Sequence, residues 1–332
     1  MKTSYGMLIG VAAATVLAAC GGNGGGDDSD TGSVTLGVSD APVDSAEQVN
    51  ISFTQVDLQP ADGERISLTL DSDPETEGNQ PVRVNLLDYT GADRVVLLDG
   101  ETLPAGDYEW IRLYVEDAKI VFDTTNETAN TYDLGIPSNA NTGLKLVNGF
   151  TVSQDGQSDF TIDFDLRKSV HEMGNSQTAN GETANDETNG YLMRPTLRLI
   201  DNLDSGQFAG TVTGETTGLS DAEGACAVYV YAGDATSLDD ICYDDNGAAC
   251  TMEGRGENPV TTAPLQMNAE TGEYHYETAL LDAGAGETAY QLAVTCDAGM
   301  DEPATDDSVT FNEPVTETLQ PGSEPTVVDL AY

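Results

Sequence analysis

Carboxylates are the most abundant groups in this sequence with the capacity for chemistry, and Asp163 and Asp165 are the best placed of them. They stand two apart in Phe160-Thr161-Ile162-Asp163-Phe164-Asp165-Leu166-Arg167, which alternates with apolar residues at the even positions. On a strand the two carboxylates therefore share one face, about 6 to 7 Å apart. That separation is close to the one inverting glycosidases use for an acid and a base. Arg167 continues the same face, and a surface row of charges paired with Arg167 or with neighbouring strands is the competing reading. The remaining apparatus of a hydrolase is missing from the sequence. Its two histidines are His171 and His275, and His171-Glu172-Met173-Gly174-Asn175 lacks the second histidine of a zinc-protease helix. Neither a G-x-S-x-G elbow nor a Gly-rich phosphate loop occurs. No catalytic residue is assigned, the protein is expected not to be an enzyme, and a hydrolase is the least favoured reading.

Two places invite a hard cation. Asp40 and Asp44 bracket Ala41-Pro42-Val43, where they could chelate calcium weakly or cap the turn through Asx hydrogen bonds. Cys242-Tyr243-Asp244-Asp245-Asn246-Gly247, with Glu253 at the twelfth place, echoes a calcium loop whose first acidic ligand is replaced by cysteine. Calcium apart, no cofactor is expected. A candidate ligand platform comes from alternation in Tyr108 to Val115. Tyr108, Trp110, Arg112 and Tyr114 lie on one face, while Ile111, Leu113 and Val115 lie on the other. With the aliphatic face in a core, the aromatic face either receives a sugar or peptide or packs under loops and the opposing sheet.

Thiol chemistry divides the chain. Cys226, Cys242, Cys250 and Cys296 all lie in the last third, and four cysteines allow three pairings. The expected arrangement joins Cys242 to Cys250 across a short loop and Cys226 to Cys296 between two strands. Zinc is the rival, but the spacings contain no C-x-x-C and no nearby histidine pair. Cys20 stands apart, after Lys2 and an apolar run from Met7 to Ala19, a run shorter than the roughly 20 residues that cross a bilayer. Leu17-Ala18-Ala19-Cys20 resembles the lipobox of bacterial lipoproteins. The resemblance implies a signal peptide over residues 1–19, diacylglyceryl transfer to the Cys20 thiol and a multiply acylated anchor, which holds a protein on a membrane without a spanning helix. An ordinary secretory signal is the alternative. Gly21 in place of Asp is similar to lipoproteins sent on to the outer membrane, with the chain facing the periplasm or the cell surface.

The 332 residues carry 58 acidic and 12 basic side chains, a net charge of −46. Clustered Lys and Arg are what nucleic acid requires, so it is excluded as a natural partner. The imbalance fits the solvated acidic surface of a marine or halophilic bacterium, or carboxylates that bind hard cations. From residue 207 onward the sequence holds 24 acidic residues and a single basic one, Arg255.

The elements that must position these residues read as strands throughout. Residues 20–32 form a Gly/Asp tether with no apolar periodicity. Alternation marks strands at 34–38, 49–58, 66–70, 82–87, 95–98, 108–116, 119–122, 143–153, 160–167 and 191–200. Residues 171–189 read as a low-complexity loop. A polar break at 201–206 separates a first domain, 33–202, from a second, 207–332, whose strands are expected at 208–213, 225–231, 261–267, 274–280, 290–296 and 326–330. No convincing amphipathic helix appears, so the fold class is all-β, with two β-sandwich-like domains.

Certain stretches occur together and in order: Val38-Ser39-Asp40-Ala41-Pro42-Val43-Asp44, Leu103-Pro104-Ala105-Gly106-Asp107-Tyr108, Gly143-Leu144-Lys145-Leu146, Asp163-Phe164-Asp165-Leu166-Arg167-Lys168-Ser169-Val170 and Arg194-Pro195 with Leu197-Arg198. In these, residues 33–202 resemble the bacterial domain-of-unknown-function family 4382. The family has no assigned activity, so the likeness implies fold and location and supplies no catalytic residue. Residues 171–189 depart from its pattern, which favours a tight turn there. In the second domain, Glu270-Thr271-Gly272-Glu273-Tyr274, Leu280-Leu281-Asp282-Ala283-Gly284 and Tyr290-Gln291-Leu292 are similar to transthyretin-like or carboxypeptidase-regulatory-like β-sandwiches. That likeness implies a structural or binding module. The expected whole is a non-catalytic, lipid-anchored envelope protein with a protein or polysaccharide partner, the alternative being a calcium- or glycan-binding surface module.

Overall fold

Alternating sequence builds alternating burial, and in the first domain two sheets turn their apolar faces to each other. The computed structural model describes residues 30–41, 46–74, 78–126, 130–136, 143–173, 190–194, 196–214, 219–220, 226–243, 249–252, 254–284 and 288–332. Its first domain comprises β1 (Thr31–Ala41), β2 (Gln48–Pro60), β3 (Ile66–Thr69), β4 (Val82–Asn85), β5 (Val95–Pro104), β6 (Gly106–Val121), β7 (Thr131–Gly135), β8 (Leu144–Leu146), β9 (Phe150–Val152), β10 (Gln157–Asp165), the one-turn helix α1 (Leu166–Ser169), β11 (Val170–Met173), β12 (Gly190–Met193) and β13 (Leu197–Asp201).

The smaller sheet runs β13-β10-β1-β5, with β1 parallel to β10 and antiparallel to β5. The larger runs β11-β12-β7-β6-β2-β3, with β4 beside β2 and with β8 and β9 beside β6. Val34, Leu36 and Val38 of β1 and Phe160, Ile162 and Phe164 of β10 meet Ile51, Phe53, Ile111 and Leu113 of the larger sheet in one core. Phe164 touches Phe53 edge-on with ring centroids 5.9 Å apart, and burying one such ring contributes about 1.5 to 3 kcal/mol. Between β5 and β6 the chain crosses from one sheet to the other at Ala105. Gly106 there takes φ +131°, which a side chain would strain.

The second domain comprises β14 (Ser205–Gly206), β15 (Phe208–Thr213), β16 (Ala227–Ala232), β17 (Thr261–Pro264), β18 (Gln266–Met267), β19 (Tyr274–Glu277), β20 (Leu281–Asp282), β21 (Thr288–Thr295), β22 (Val315–Leu319), β23 (Thr326–Val327) and β24 (Leu330–Ala331). One sheet runs β18-β19-β15-β23 with β24 also beside β15, and the other runs β17-β16-β21-β22. Phe208, Val212 and Tyr276 of the first pack against Val228, Val230, Leu292 and Val294 of the second. The reverse face of β16 is also buried: Tyr229 and Tyr231 sit with Ile241, Ala298 and Phe311. Burial on both faces accounts for the uninterrupted apolar run Ala227-Val228-Tyr229-Val230-Tyr231.

Several elements differ from the sequence expectation. β1 begins at Thr31, inside the segment read as tether, and runs on through Ser39 and Asp40, where a strand break was expected. The two strands expected at 108–116 and 119–122 are one, Gly106–Val121. β10 stops at Asp165, because the Asp165 carboxylate caps the Lys168 N–H and starts α1. His171 belongs to β11, paired antiparallel to β12, and not to a loop. β7 and β22 were not anticipated. Residues 1–29, with the signal segment and Cys20, lie outside the described residues, as do Asp44, residues 174–189, 244–248 and 253. Among the described residues no helix is long and apolar enough to cross a membrane.

Candidate functional site

The charged residues of β1, β10 and α1 converge where the two domains meet. The face of the smaller sheet opposite its core carries Ser39, Thr161, Asp163 and Asp165, and the second domain covers it, with β17 against β1 and β20 against β13. As a result Asp163 and Asp165 are fully buried, and Asp40, in phase with Leu36 and Val38 on the core side of β1 and opposite Phe164, is fully buried as well. The expectation of a surface row of charges is corrected: alternation separates the two faces of a strand, but it does not say that the polar face meets water.

Asp163 and Asp165 each have a cation beside them. Asp163 accepts from Arg198 Nε at 3.0 Å and also from its Nη2, because Arg198 lies directly opposite on β13. Asp165 Oδ2 lies 2.7 Å from Lys168 Nζ, three residues on across α1. Arg167, expected on the same face as Asp163, instead points out of α1 into the second domain. It donates to the Ala298 carbonyl and lies 5.3 Å from the centre of the Tyr229 ring. Lys168 Nζ donates to Val260 O at 2.6 Å, and Arg198 Nη2 to Leu280 O at 3.5 Å. Three cations of the first domain therefore reach carbonyls of the second.

Asp40 has no such cation. Its Oδ1 accepts from Leu166 N at 3.3 Å, and its Oδ2 has no hydrogen-bond partner among the described residues. Burial, then the charges of Asp163 and Asp165, hold the Asp40 carboxyl well above the usual carboxylate range, against a smaller pull from the Leu166 N–H. Burial also raises Asp163, outweighing Arg198. A glycosidase pair needs room for water and a sugar, and this pair has neither, so the cluster is suited to locking the domains together. The junction is short and hydrogen-bonded as well. Asn202 donates to Asp159 at 3.0 Å, and Asp204 O accepts from Ala283 N at 2.8 Å.

The outer face of the larger sheet carries the other candidate. Tyr108 is not part of it. A bulge opposite Gln59 and Pro60 turns Tyr108 inward, where it is buried, stacks on Phe150 at 4.7 Å and donates to Pro104 O at 2.9 Å. Trp110, Arg112 and Tyr114 remain outside and half-buried. Arg112 Cζ and Lys145 Nζ each lie 4.9 Å from the Trp110 ring centre, within cation–π range. Lys145 of β8 stands directly opposite Arg112 of β6. Gly143, at φ +63°, makes that approach feasible, since a Cβ there would meet Arg112 Cγ at 2.8 Å. On the other side Arg112 faces Asp57 of β2. Asp57, however, is engaged by Tyr114 Oη at 2.9 Å, Gln55 Nε2 at 2.6 Å and Arg65 Nη1 at 3.4 Å. Lys145 was missed by the sequence reading, although Leu144-Lys145-Leu146 alternates and so turns its lysine outward.

In the second domain the expected disulfides are present, Cys226–Cys296 and Cys242–Cys250. Cys226 and Cys296 flank the paired strands β16 and β21. Of the calcium-like segment, Cys242 is thus spent as a half-cystine, and Asp244, Asp245, Asn246, Gly247 and Glu253 lie outside the described residues. Oxygens of Asp239, Asp240 and Asp306, and of Asp240, Asp301 and Asp307, are close enough together for a cation. Arg255 already serves this group, donating to the Asp240 carboxylate, to Asp306 Oδ1 at 2.9 Å and to Asn258 Oδ1 at 2.6 Å. Burial pushes Asp240 up to about 6. Of the other calcium pair only Asp40 is described, and it faces Leu166 N rather than solvent. His275 sits on β19 opposite Thr211 and Gln266.

Residues 31–182 match the family described as Domain of unknown function (DUF4382). No curated protein matches the chain. Solved structures it is similar to include a proposed adhesin from Bacteroides ovatus, 8% identical over 96% of this chain and 98% of that one, with a TM-score of 0.21. Another is a proposed cell adhesion protein from Bacteroides fragilis, 11% identical over 90% of this chain and 91% of that one, with a TM-score of 0.20.

Proposed function

We propose that this chain is a non-catalytic envelope protein, lipid-anchored through Cys20 in a bacterial outer membrane, whose two β domains act as one fixed interaction module. The observation that carries the reading is how the charged stretches 38–40 and 163–169 are used. Asp163 and Asp165 are buried against Arg198 and Lys168, Asp40 is buried with only the Leu166 N–H to meet it, and Arg167 and Lys168 are spent on carbonyls of the second domain. Residues that would otherwise be offered to a substrate are consumed in joining two domains. A rigid two-domain body presents a binding face at constant geometry, and that suits adhesion or scaffolding better than turnover. The acidic surplus fits a saline habitat, where screening relieves self-repulsion.

The test has two parts. In cell fractionation Cys20→Ser should move the protein from membranes to the soluble exported fraction, and unchanged membrane association would remove the anchor. Pull-down from native envelopes should retain a partner on the wild-type protein, while Asp163→Asn with Asp165→Asn should weaken capture only as far as it loosens the fold. An activity found in the wild type and abolished in a folded form of that double variant would replace the reading with a catalytic one.

A further inference from the structure

In a chain with 58 acidic and 12 basic residues, cations without a carboxylate beside them are conspicuous. Arg65, Arg94, Lys119, Lys168, Arg198 and Arg255 each have one. Among the described residues Arg112 and Lys145 have no ion-pair partner, yet they stand directly opposite each other on adjacent strands and share one indole ring. Like charges placed directly opposite destabilise a sheet. Asp57, the one carboxylate in register with Arg112, has its oxygens taken by Tyr114, Gln55 and Arg65. Arg112 Nε is buried and unbonded among the described residues. A sequence this rich in carboxylates could readily neutralise the pair and does not, so the missing anion comes from outside.

The geometry points to an acidic polysaccharide of the uronate type as the occupant of this face, its carboxylates held by Arg112 and Lys145 and a sugar ring laid beside Trp110. This rests on the interaction-module reading and names its ligand class. Charge complementarity selects the anion: two adjacent cations on a body whose net charge is −46. Their position over the indole disfavours a neutral sugar stacked on an open ring, because the cations already border that ring. A long polyphosphate meets two cations and the repulsion of everything else. A carboxylated sugar carries less charge, and its hydroxyls can donate to the side-chain oxygen of Gln59, which lies opposite Trp110 and whose Nε2 is already given to the Pro60 and Gly63 carbonyls.

The chain holds a single tryptophan, so fluorescence of the full-length protein reports this face alone. The titrants are oligogalacturonate, its methyl ester and inorganic polyphosphate, each at low and high salt. Oligogalacturonate should give a saturable change in Trp110 emission that weakens several-fold with salt, and the methyl ester should give none. Arg112→Gln with Lys145→Gln should bind at least ten-fold more weakly, whereas Arg112→Lys with Lys145→Arg should retain binding. Arg83→Gln, which removes an exposed cation on β4, should leave affinity unchanged. Circular dichroism and the urea midpoint establish that each variant is folded. The proposal is overturned by no response to millimolar oligogalacturonate in fluorescence and calorimetry, by equal response to the ester, by tighter binding of polyphosphate, or by undiminished binding in the folded double Gln variant. Envelope partners still captured by that variant would sink this ligand assignment alone, whereas no partner captured by the wild type would sink the interaction module itself.

Discussion

Replacing Asp40 by Asn should abolish a pH dependence that the fold owes to a single buried carboxyl. In the unfolded chain Asp40 titrates near the ordinary value of about 3.9. In the fold its pKa is raised well above that, by burial first and then by Asp163 and Asp165. Between those two values the folded protein holds a proton that the unfolded chain has released. Stability from this group is therefore fully present below about pH 4 and is lost as pH rises toward the folded value. One proton corresponds to about 1.4 kcal/mol per pH unit. Asn keeps an oxygen for the Leu166 N–H, bonded at 3.3 Å in the parent, and carries no charge. Asp163 and Asp165 on β10, Arg198 on β13 and Lys168 on α1 remain in both proteins, so the difference between them isolates Asp40. Urea unfolding followed by Trp110 fluorescence, at half-unit steps from pH 4.5 to 8, should show the Asn variant gaining on the parent by about 1.4 kcal/mol per unit, then levelling where the parent ionises. A difference that stays flat over the whole range, or that grows in favour of Asp40 as pH rises, would refute the reasoning and mean that the buried carboxyl is ionised.

Other perturbations bear on the same framework. Lys168→Ala should cost about 3 to 5 kcal/mol in urea unfolding, since it strands Asp165 without charge compensation, and Lys168→Met should fail equally despite its length; a loss below about 1 kcal/mol would mean the pair is not what holds the junction. The two disulfides should differ in worth. With a sequence separation of 70, Cys226–Cys296 should contribute about 4.4 kcal/mol by chain entropy, and Cys242–Cys250, with a separation of 8, about 2.5 kcal/mol. Paired Cys→Ser variants compared by calorimetry would show whether that order holds. Phe164→Ala should cost about 3 to 5 kcal/mol, because its ring is wholly buried against Phe53.

Strands with one apolar face were readable wherever a face is buried along its whole length. β10 carries that pattern from end to end, β2 carries it in two phases, Val49-Ile51-Phe53 and Val56-Leu58, on either side of a register shift, and both disulfides follow from cysteines that flank paired strands or a short loop. β22 was invisible because Val315-Thr316-Glu317-Thr318-Leu319 is an edge strand that fully buries only Leu319. Tyr108 misled because a bulge inserts one residue and reverses the phase of the alternation, an event with no signature in the residues themselves. The largest gap concerns Asp163 and Asp165. Periodicity put them on one face, and only the docking of β17 and β20 from another domain could reveal that this face is dry. Lys145 escaped for a related reason: its partner Arg112 is over thirty residues away, and register cannot be read from either segment alone.

The position of β1 has a mechanical consequence. It is an interior strand, bonded to β10 on one side and β5 on the other, and the described chain enters it directly from Asp30. A pull on that end, directed along the strand, cannot peel β1 from an edge. It must slide β1 past both neighbours, so the rungs from Ser33 to Ala41 share the load at once, since ladder bonds lie across the strand axis. Under tension along that line β1 should resist as a whole, whereas an edge strand such as β22 would give way one rung at a time.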